Sequence, residues 1–285
     1  MSAHYLTEAA INNFIDSALA EDVGEGDHSS LGAIPEHHQS KARLLVKDAG
    51  VLAGVELAQK IFHRYDSALT VDVFLNDGDV IKKGDVVLTV AGSARAILST
   101  ERLVLNCMQR MSGIATKTKK LTSLIQHTPA RLMDTRKTTP NFRLPEKWAV
   151  LIGGGLNHRF ALYDMVMLKD NHIDVARGIE PAVDKTKAYL RAINKALKIE
   201  VETRSLTEVQ QALNAQVDVI MLDNMSIENM KEAVKLVNGK CKLEASGGIT
   251  EANIASIAET GVDYISVGAL THAVQSLDLS LKITM

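Results

Sequence analysis

A chain of 285 residues with 46% hydrophobic and 23% charged side chains has an ordinary globular composition, with length for one large or two modest cores. Thirty-two basic residues against 34 acidic leave a net charge of −2, and aromatics make up only 4%. This balance excludes the basic footprint of a duplex binder and the stacking platforms of a single-strand binder, so no nucleic-acid partner is expected. No apolar run approaches the roughly 18 residues of a membrane span, and the start lacks a basic stretch followed by an apolar one. The expectation is a soluble cytoplasmic protein with no membrane partner. Cys107 and Cys241 stand far apart without a CxxC pattern and read as two reduced thiols.

Leu6, Ala10, Phe14 and Ala18, with Ile11, Ile15 and Leu19, recur at helical spacing and predict an amphipathic first helix that stops at Gly24. Residues 42–46 and 51–53 read as short strands and 56–65 as a helix. Alternation over 69–75, the turn signal Asn76-Asp77-Gly78-Asp79, and a strand at 86–90 predict a hairpin. This is an α+β domain. The stretch 74–90 also resembles the hairpin of biotinyl and lipoyl carrier domains, but no modifiable Lys stands at the required turn, and a structural hairpin is the better reading.

From about residue 98 the texture changes. Residues 100–126 predict one or two helices, and strands then alternate with helical stretches. Short apolar runs at 131–134, 165–168, 199–201, 219–222, 243–245 and 264–267 end at Thr135, Lys169, Glu202, Asp223, Ser246 and Gly268. The last four lie 21, 23 and 22 residues apart, the length of one β/α unit. The fold class is therefore α/β: an incomplete parallel β/α barrel of about six strands fused to an N-terminal α+β domain. The expected domains are 1–112, with 275–285 a candidate addition to it, and 113–274.

Polar residues at the C-terminal ends of barrel strands are where such folds build sites. Between residues 131 and 172, seven cations (Arg131, Arg136, Lys137, Arg143, Lys147, Arg159, Lys169) face four acids. They sit among Thr, Asn, His and the Gly153-Gly154-Gly155 triplet, read here as strand ends and turns, with the triplet a hinge placing His158-Arg159. Arg forks so dispersed suit capture of carboxylates and phosphates rather than solvation of a helix face. Glu202 and Asp223 end neighbouring strands and are the oxygen donors Mg²⁺ takes, or partners for Lys169 or Arg136. Ser246-Gly247-Gly248, and Gly268 with His272 four residues on, are glycine turns of the kind that leave backbone N–H groups for phosphate. The other histidines show no metal-ligand spacing.

Asp134-Thr135-Arg136-Lys137-Thr138-Thr139-Pro140, Glu146-Lys147, Asn157-His158-Arg159 and Leu168-Lys169-Asp170-Asn171-His172 form a specific block. Residues 18–27, Glu101-Arg102, 112–116, Met221-Leu222-Asp223-Asn224 and Ser246-Gly247-Gly248-Ile249 extend it, in order, over nearly the full chain. This pattern resembles the quinolinate phosphoribosyltransferases. It departs from that family at Asn141-Phe142, where Gly-Leu is usual, and at Thr203-Arg204, where a second acid follows the Glu.

The resemblance implies phosphoribosyl transfer from phosphoribosyl diphosphate to quinolinate with decarboxylation, a step of NAD biosynthesis that uses Mg²⁺. It implies Lys137, Glu202 and Asp223 as catalytic residues, with Glu202 and Asp223 also at the metal. Quinolinate would be held by Arg102, Arg136, His158, Arg159 and Lys169. The substrate-binding set would also include Thr135, Lys137, Glu202, Asp223, Ser246, Gly247, Gly248, Gly268 and His272. A homodimer in which Arg102 crosses the interface is implied as well, with higher oligomers left open.

Overall fold

A computed structural model describes residues 4–284. The chain forms two compact units. Of the described residues, the first comprises 4–119, 137–154 and 269–284, and the second 120–136 and 155–268.

The first unit begins with α1 (Glu8–Asp22), capped by Thr7, whose hydroxyl accepts the Ala10 N–H. A short helix that the periodicity does not reveal, α2 (His28–Ala33), follows under an Asp27 cap. Strand β1 (Gln39–Val46) buries Ala42, Leu44 and Val46 at period two. It runs antiparallel to β5 (Val86–Ser93) on one side and to β12 (Leu279–Thr284) on the other. Strand β3 (Thr70–Val73) pairs β5, completing the expected hairpin. The pair β2 (Gly50–Val51) and β4 (Val80–Ile81) forms a separate ribbon.

Helix α3 (Val55–Tyr65) buries Leu57, Ala58, Ile61 and Phe62 on one face. Its first two N–H groups are taken by the Asp77 carboxylate at 2.9 and 3.1 Å. The stretch 100–126, read as one or two helices, forms up to residue 125 part of a single helix, α4 (Ala94–Ile125). Val104, Cys107, Met108, Met111, Ile114 and Ala115 are fully buried along it. Both cysteines are free, and burial pushes the Cys107 thiol up to about 12.

One stretch expected to be turns is helical: α5 (Arg143–Ile152), in the middle of the cation-rich segment. Pro145 sits in its first turn, where a missing N–H costs nothing. Gly153, expected to act as a hinge, is instead a packing glycine, because a Cβ there would lie 2.6 Å from both the Ala115 carbonyl oxygen and the Thr118 Cβ. Glu146 of α5 is fully buried; it accepts from Arg110 Nε at 3.0 Å and Nη2 at 2.8 Å, and from the Thr139 amide and hydroxyl. A carboxylate can be buried there because its lone pairs are met.

The second unit is the barrel. Its strands are β6 (Arg131–Met133), β7 (Val166–Leu168), β8 (Ile199–Thr203), β9 (Val219–Asp223), β10 (Lys242–Ser246) and β11 (Tyr264–Ser266). They form one sheet in the order β6-β11-β10-β9-β8-β7, with every pairing parallel. Between them run α6 (Asp170–Ala176), α7 (Ile179–Ala192), α8 (Leu206–Asn214), α9 (Ile227–Val237) and α10 (Ile254–Ala258), while α11 (Ala269–His272) follows β11. Ser205 and Ser226 cap α8 and α9. Val201, Ile220, Leu222, Ala245 and Ile265 are buried, as strands covered on both faces require.

Cross-strand register sorts the barrel residues into rows. Glu202, Met221 and Glu244 share one row, Glu200 lies in a row below, and Asp223 pairs Ser246 in a row above. The strand-end residues thus lie toward one end of the sheet, with Glu244 level with Glu202 and Glu200 deeper.

Candidate active site

Helix α4 carries Arg102, which is exposed, and Lys137 and His272 also belong to the first unit, both exposed. The remaining expected site residues, from Thr135 and Arg136 to Gly268, belong to the barrel unit. Within that unit the structure brings together Lys169 and Glu202, whose Nζ and Oε2 are 3.1 Å apart across adjacent strands β7 and β8. It also sets Arg159 beside Arg136. Burial, and next the Arg136 charge, lower the pKa of the Arg159 guanidinium from its usual value. Two half-buried guanidiniums so close together repel each other, a cost that an anionic ligand would remove.

Arg159 is aimed by its surroundings. Its Nη1 donates to the Met165 carbonyl at 3.2 Å, and its Nη2 lies 3.7 Å from the Met167 sulfur. Its backbone is pinned further back. Asp134, fully buried at the end of β6, accepts from the His158 amide at 2.9 Å and from Asn157 Nδ2 at 2.6 Å.

Asp223 has a partner that the strand-end pattern does not predict. Asn224 stands at φ 53°, donates from Nδ2 to Asp223 Oδ2 at 2.8 Å, and donates its backbone N–H to the Ser246 carbonyl. Gly247 (φ 90°) and Gly248 (φ 60°) continue from there. A Cβ on Gly247 would overlap the Asn224 side-chain amide, so this glycine is required by both backbone and space. One small network therefore fixes the carboxylate ending β9 and the glycine turn ending β10.

The departures have simple outcomes. Asn141 takes the left-handed conformation (φ 60°) that a Gly would take freely. Arg204 is exposed and pairs with Glu208 at 3.1 Å and Asp174 at 3.4 Å.

Sequence reasoning missed Glu200 and Glu244. Both are buried inside the barrel, with His158 Nε2 3.0 Å from Glu200 and 3.4 Å from Glu244. Burial, then the neighbouring Glu244, pushes the Glu200 carboxyl up to about 7. The signal was visible: each acid interrupts a run otherwise read as apolar, two residues before a strand-end site residue on the same face.

Two family models match the chain. The N-terminal domain of quinolinate phosphoribosyl transferase matches residues 27–112, and its C-terminal domain matches residues 114–282. A chloroplastic nicotinate-nucleotide pyrophosphorylase (carboxylating) of Oryza sativa subsp. japonica is 48% identical, over 94% of this chain and 76% of that protein. A probable enzyme of the same name from Synechocystis is 43% identical, over 96% of this chain and 92% of that one. The crystal structure of NadC from Streptococcus pyogenes superposes with a TM-score of 0.91 at 41% identity, covering 98% of both chains. With both domain models matched in order along one chain, this protein belongs to the quinolinate phosphoribosyltransferase family.

Proposed function

We propose that this chain transfers the phosphoribosyl group of phosphoribosyl diphosphate to quinolinate, releasing diphosphate and CO₂ and giving nicotinate mononucleotide. The observation that carries the reading is the match of both domain models and of relatives named for this reaction along almost the full chain. The strand-end cations support it. Both substrates are polyanions, and a converging set of Arg and Lys side chains lowers the cost of bringing them together.

In this reading Arg136, Arg159 and Lys169 hold the two carboxylates of quinolinate, joined by Arg102 of a partner subunit in a homodimer; His158, expected among them, is buried with Nε2 toward Glu200 and Glu244 and acts from behind Arg159. Thr135, Lys137, Ser246, Gly247, Gly248, Gly268 and His272 take the phosphates and diphosphate. Glu202 and Asp223 hold the ribose and a Mg²⁺ ion. Two carboxylates with substrate phosphates are the donor set this cation takes, and it would neutralise charge on the leaving diphosphate. The Lys169–Glu202 pair then has to open when substrate arrives, releasing the ammonium to a carboxylate and the carboxylate to the ribose or cation.

The ring nitrogen attacks the anomeric carbon as the bond to diphosphate breaks, and Lys137 stabilises the departing charge. Alkylation turns the ring nitrogen into a cation. The C2–carboxylate bond then cleaves with its electron pair drawn toward that nitrogen, CO₂ leaves, and C2 takes up a proton. No side chain has to act as a general base.

Product analysis with quinolinate or nicotinate as acceptor, each with phosphoribosyl diphosphate and Mg²⁺, tests the assignment. Nicotinate mononucleotide and CO₂ should appear with quinolinate. Turnover of nicotinate alone would reject the dicarboxylate specificity.

A further inference from the structure

One buried polar group of the barrel is formed by His158, Glu200 and Glu244, whose side chains are 5%, 0% and 1% exposed. Two carboxylates against one imidazole is an expensive arrangement. A hydrophobic trio of the same volume would stabilise the fold at least as well, so stability alone gives no reason for it. The donor types, gathered within 4.8 Å, are those of a cation site. The ring geometry argues otherwise. His158 Nδ1 accepts the backbone N–H of Arg159 at 2.6 Å, so the ring proton must sit on Nε2, facing the carboxylates. A protonated nitrogen has no lone pair for a metal.

The same geometry shows what the group does hold. Asp134 fixes the backbone of His158 from the end of β6, Glu200 on β8 and Glu244 on β10 bring carboxylate oxygens to 3.0 and 3.4 Å from its Nε2, and the ring receives the next residue's amide. That next residue is Arg159. We infer that Glu200 and Glu244 are positioning residues for quinolinate binding, gripping His158 Nε2–H so that the 158–159 backbone presents the Arg159 guanidinium at a fixed place and angle. A bidentate guanidinium–carboxylate contact depends on both, which a floating peptide cannot supply. The inference rests on the reaction proposed above.

Two measurements on the full chain test it. In ¹⁵N-histidine-labelled protein, the His158 ring, assigned through its loss in His158→Gln, should show a protonated Nε2 and an unprotonated Nδ1. In steady-state kinetics, Glu244→Gln and Glu200→Gln should each raise the KM for quinolinate by about tenfold or more, while the KM for phosphoribosyl diphosphate stays within about twofold. A protonated Nδ1 in the wild-type protein would overturn the inference. So would an unchanged quinolinate KM in folded variants, or equal rises for both substrates. If a variant does not fold, the wild-type spectrum alone decides. Failure of the wild-type protein to form nicotinate mononucleotide would defeat the proposed reaction instead, and the ring spectrum would still judge the grip on His158.

Discussion

Arg159 Nη1 lies on the Met165 carbonyl and the guanidinium stands beside Arg136, with Glu200 and Asp164 only partly offsetting burial and that repulsion, so this side chain can still take an anion. Replacing it by Ala should raise the KM for quinolinate far more than that for phosphoribosyl diphosphate, by about tenfold or more, because a charge-assisted bidentate contact is lost. Equal losses for both substrates would contradict the assignment. Gly247 makes a second case. Its φ of 90° and its contact with the Asn224 amide leave no place for a Cβ, so Gly247→Ala must displace Asn224 and with it the Asp223 carboxylate. We expect a loss of about 1–3 kcal/mol in stability and a raised KM for phosphoribosyl diphosphate. Urea unfolding together with substrate titration would measure both, and unchanged kinetics would separate the glycine turn from the site. At this scale the strand-end residues were legible, since a charged or glycine residue closing an apolar run has a position as well as a chemistry. Glu200 and Glu244 were not, because a run of mostly apolar residues reads as core whether or not one acid inside it is satisfied.

Helix α2 owes its start to Asp27, whose carboxylate accepts the Ser29 and Ser30 amides and the Ser30 and Ser99 hydroxyls. The Ser30 hydroxyl, then its amide, hold the Asp27 carboxyl below its ordinary value. A carboxylate depressed in the folded state adds stability above its unfolded value, near 4, and loses that contribution as pH falls through the folded value. Asp27→Ala should therefore cost about 1 kcal/mol at pH 7. The gap between variant and wild type should close below about pH 4, as followed by thermal unfolding across pH. A gap independent of pH would mean the cap acts by shape alone. The buried pair tying α4 to α5 is the stronger element. Removing Glu146 leaves Arg110 Nε and the Thr139 amide and hydroxyl without this acceptor and the Arg110 charge without its counter-ion, although Arg110 keeps the Thr271 and Val274 carbonyls, so Glu146→Ala should cost about 3–5 kcal/mol in urea titration. A cost under about 1 kcal/mol would show that Arg110 finds another partner. Elements with a clear period were readable from sequence: the barrel strands at near-constant spacing, and α1 and α3 by their apolar stripes. Helix α5 escaped because Pro140, Pro145 and the three glycines around it read as turns, although Pro145 lies in the one turn of a helix that tolerates it.

At the level of the whole molecule, the question is how Arg102 takes part. It is exposed on α4, and in the proposed reaction it reaches the quinolinate of a partner subunit. A two-fold dimer then carries two equivalent sites, each assembled from both chains. The sequence could suggest this only through resemblance, because period and composition describe one chain's own core and are silent on what approaches it from outside. Arg102→Ala and Lys137→Ala should each form nearly inactive dimers, the first lacking a clamp on quinolinate and the second the charge that stabilises departing diphosphate. Mixing them distinguishes a shared site from a private one. In a heterodimer, Arg102 of the Lys137→Ala chain meets Lys137 of the Arg102→Ala chain, and one of the two sites is rebuilt; the other carries both lesions. Random exchange of equal amounts makes about half the dimers hetero, so about a quarter of wild-type activity should return. If each site were built from a single chain, every site in the mixture would carry one lesion and exchange would restore nothing. Subunit exchange must be verified independently, by native mass spectrometry of differently tagged chains. Verified exchange without recovery, or full activity in a demonstrated monomer, would refute the shared site.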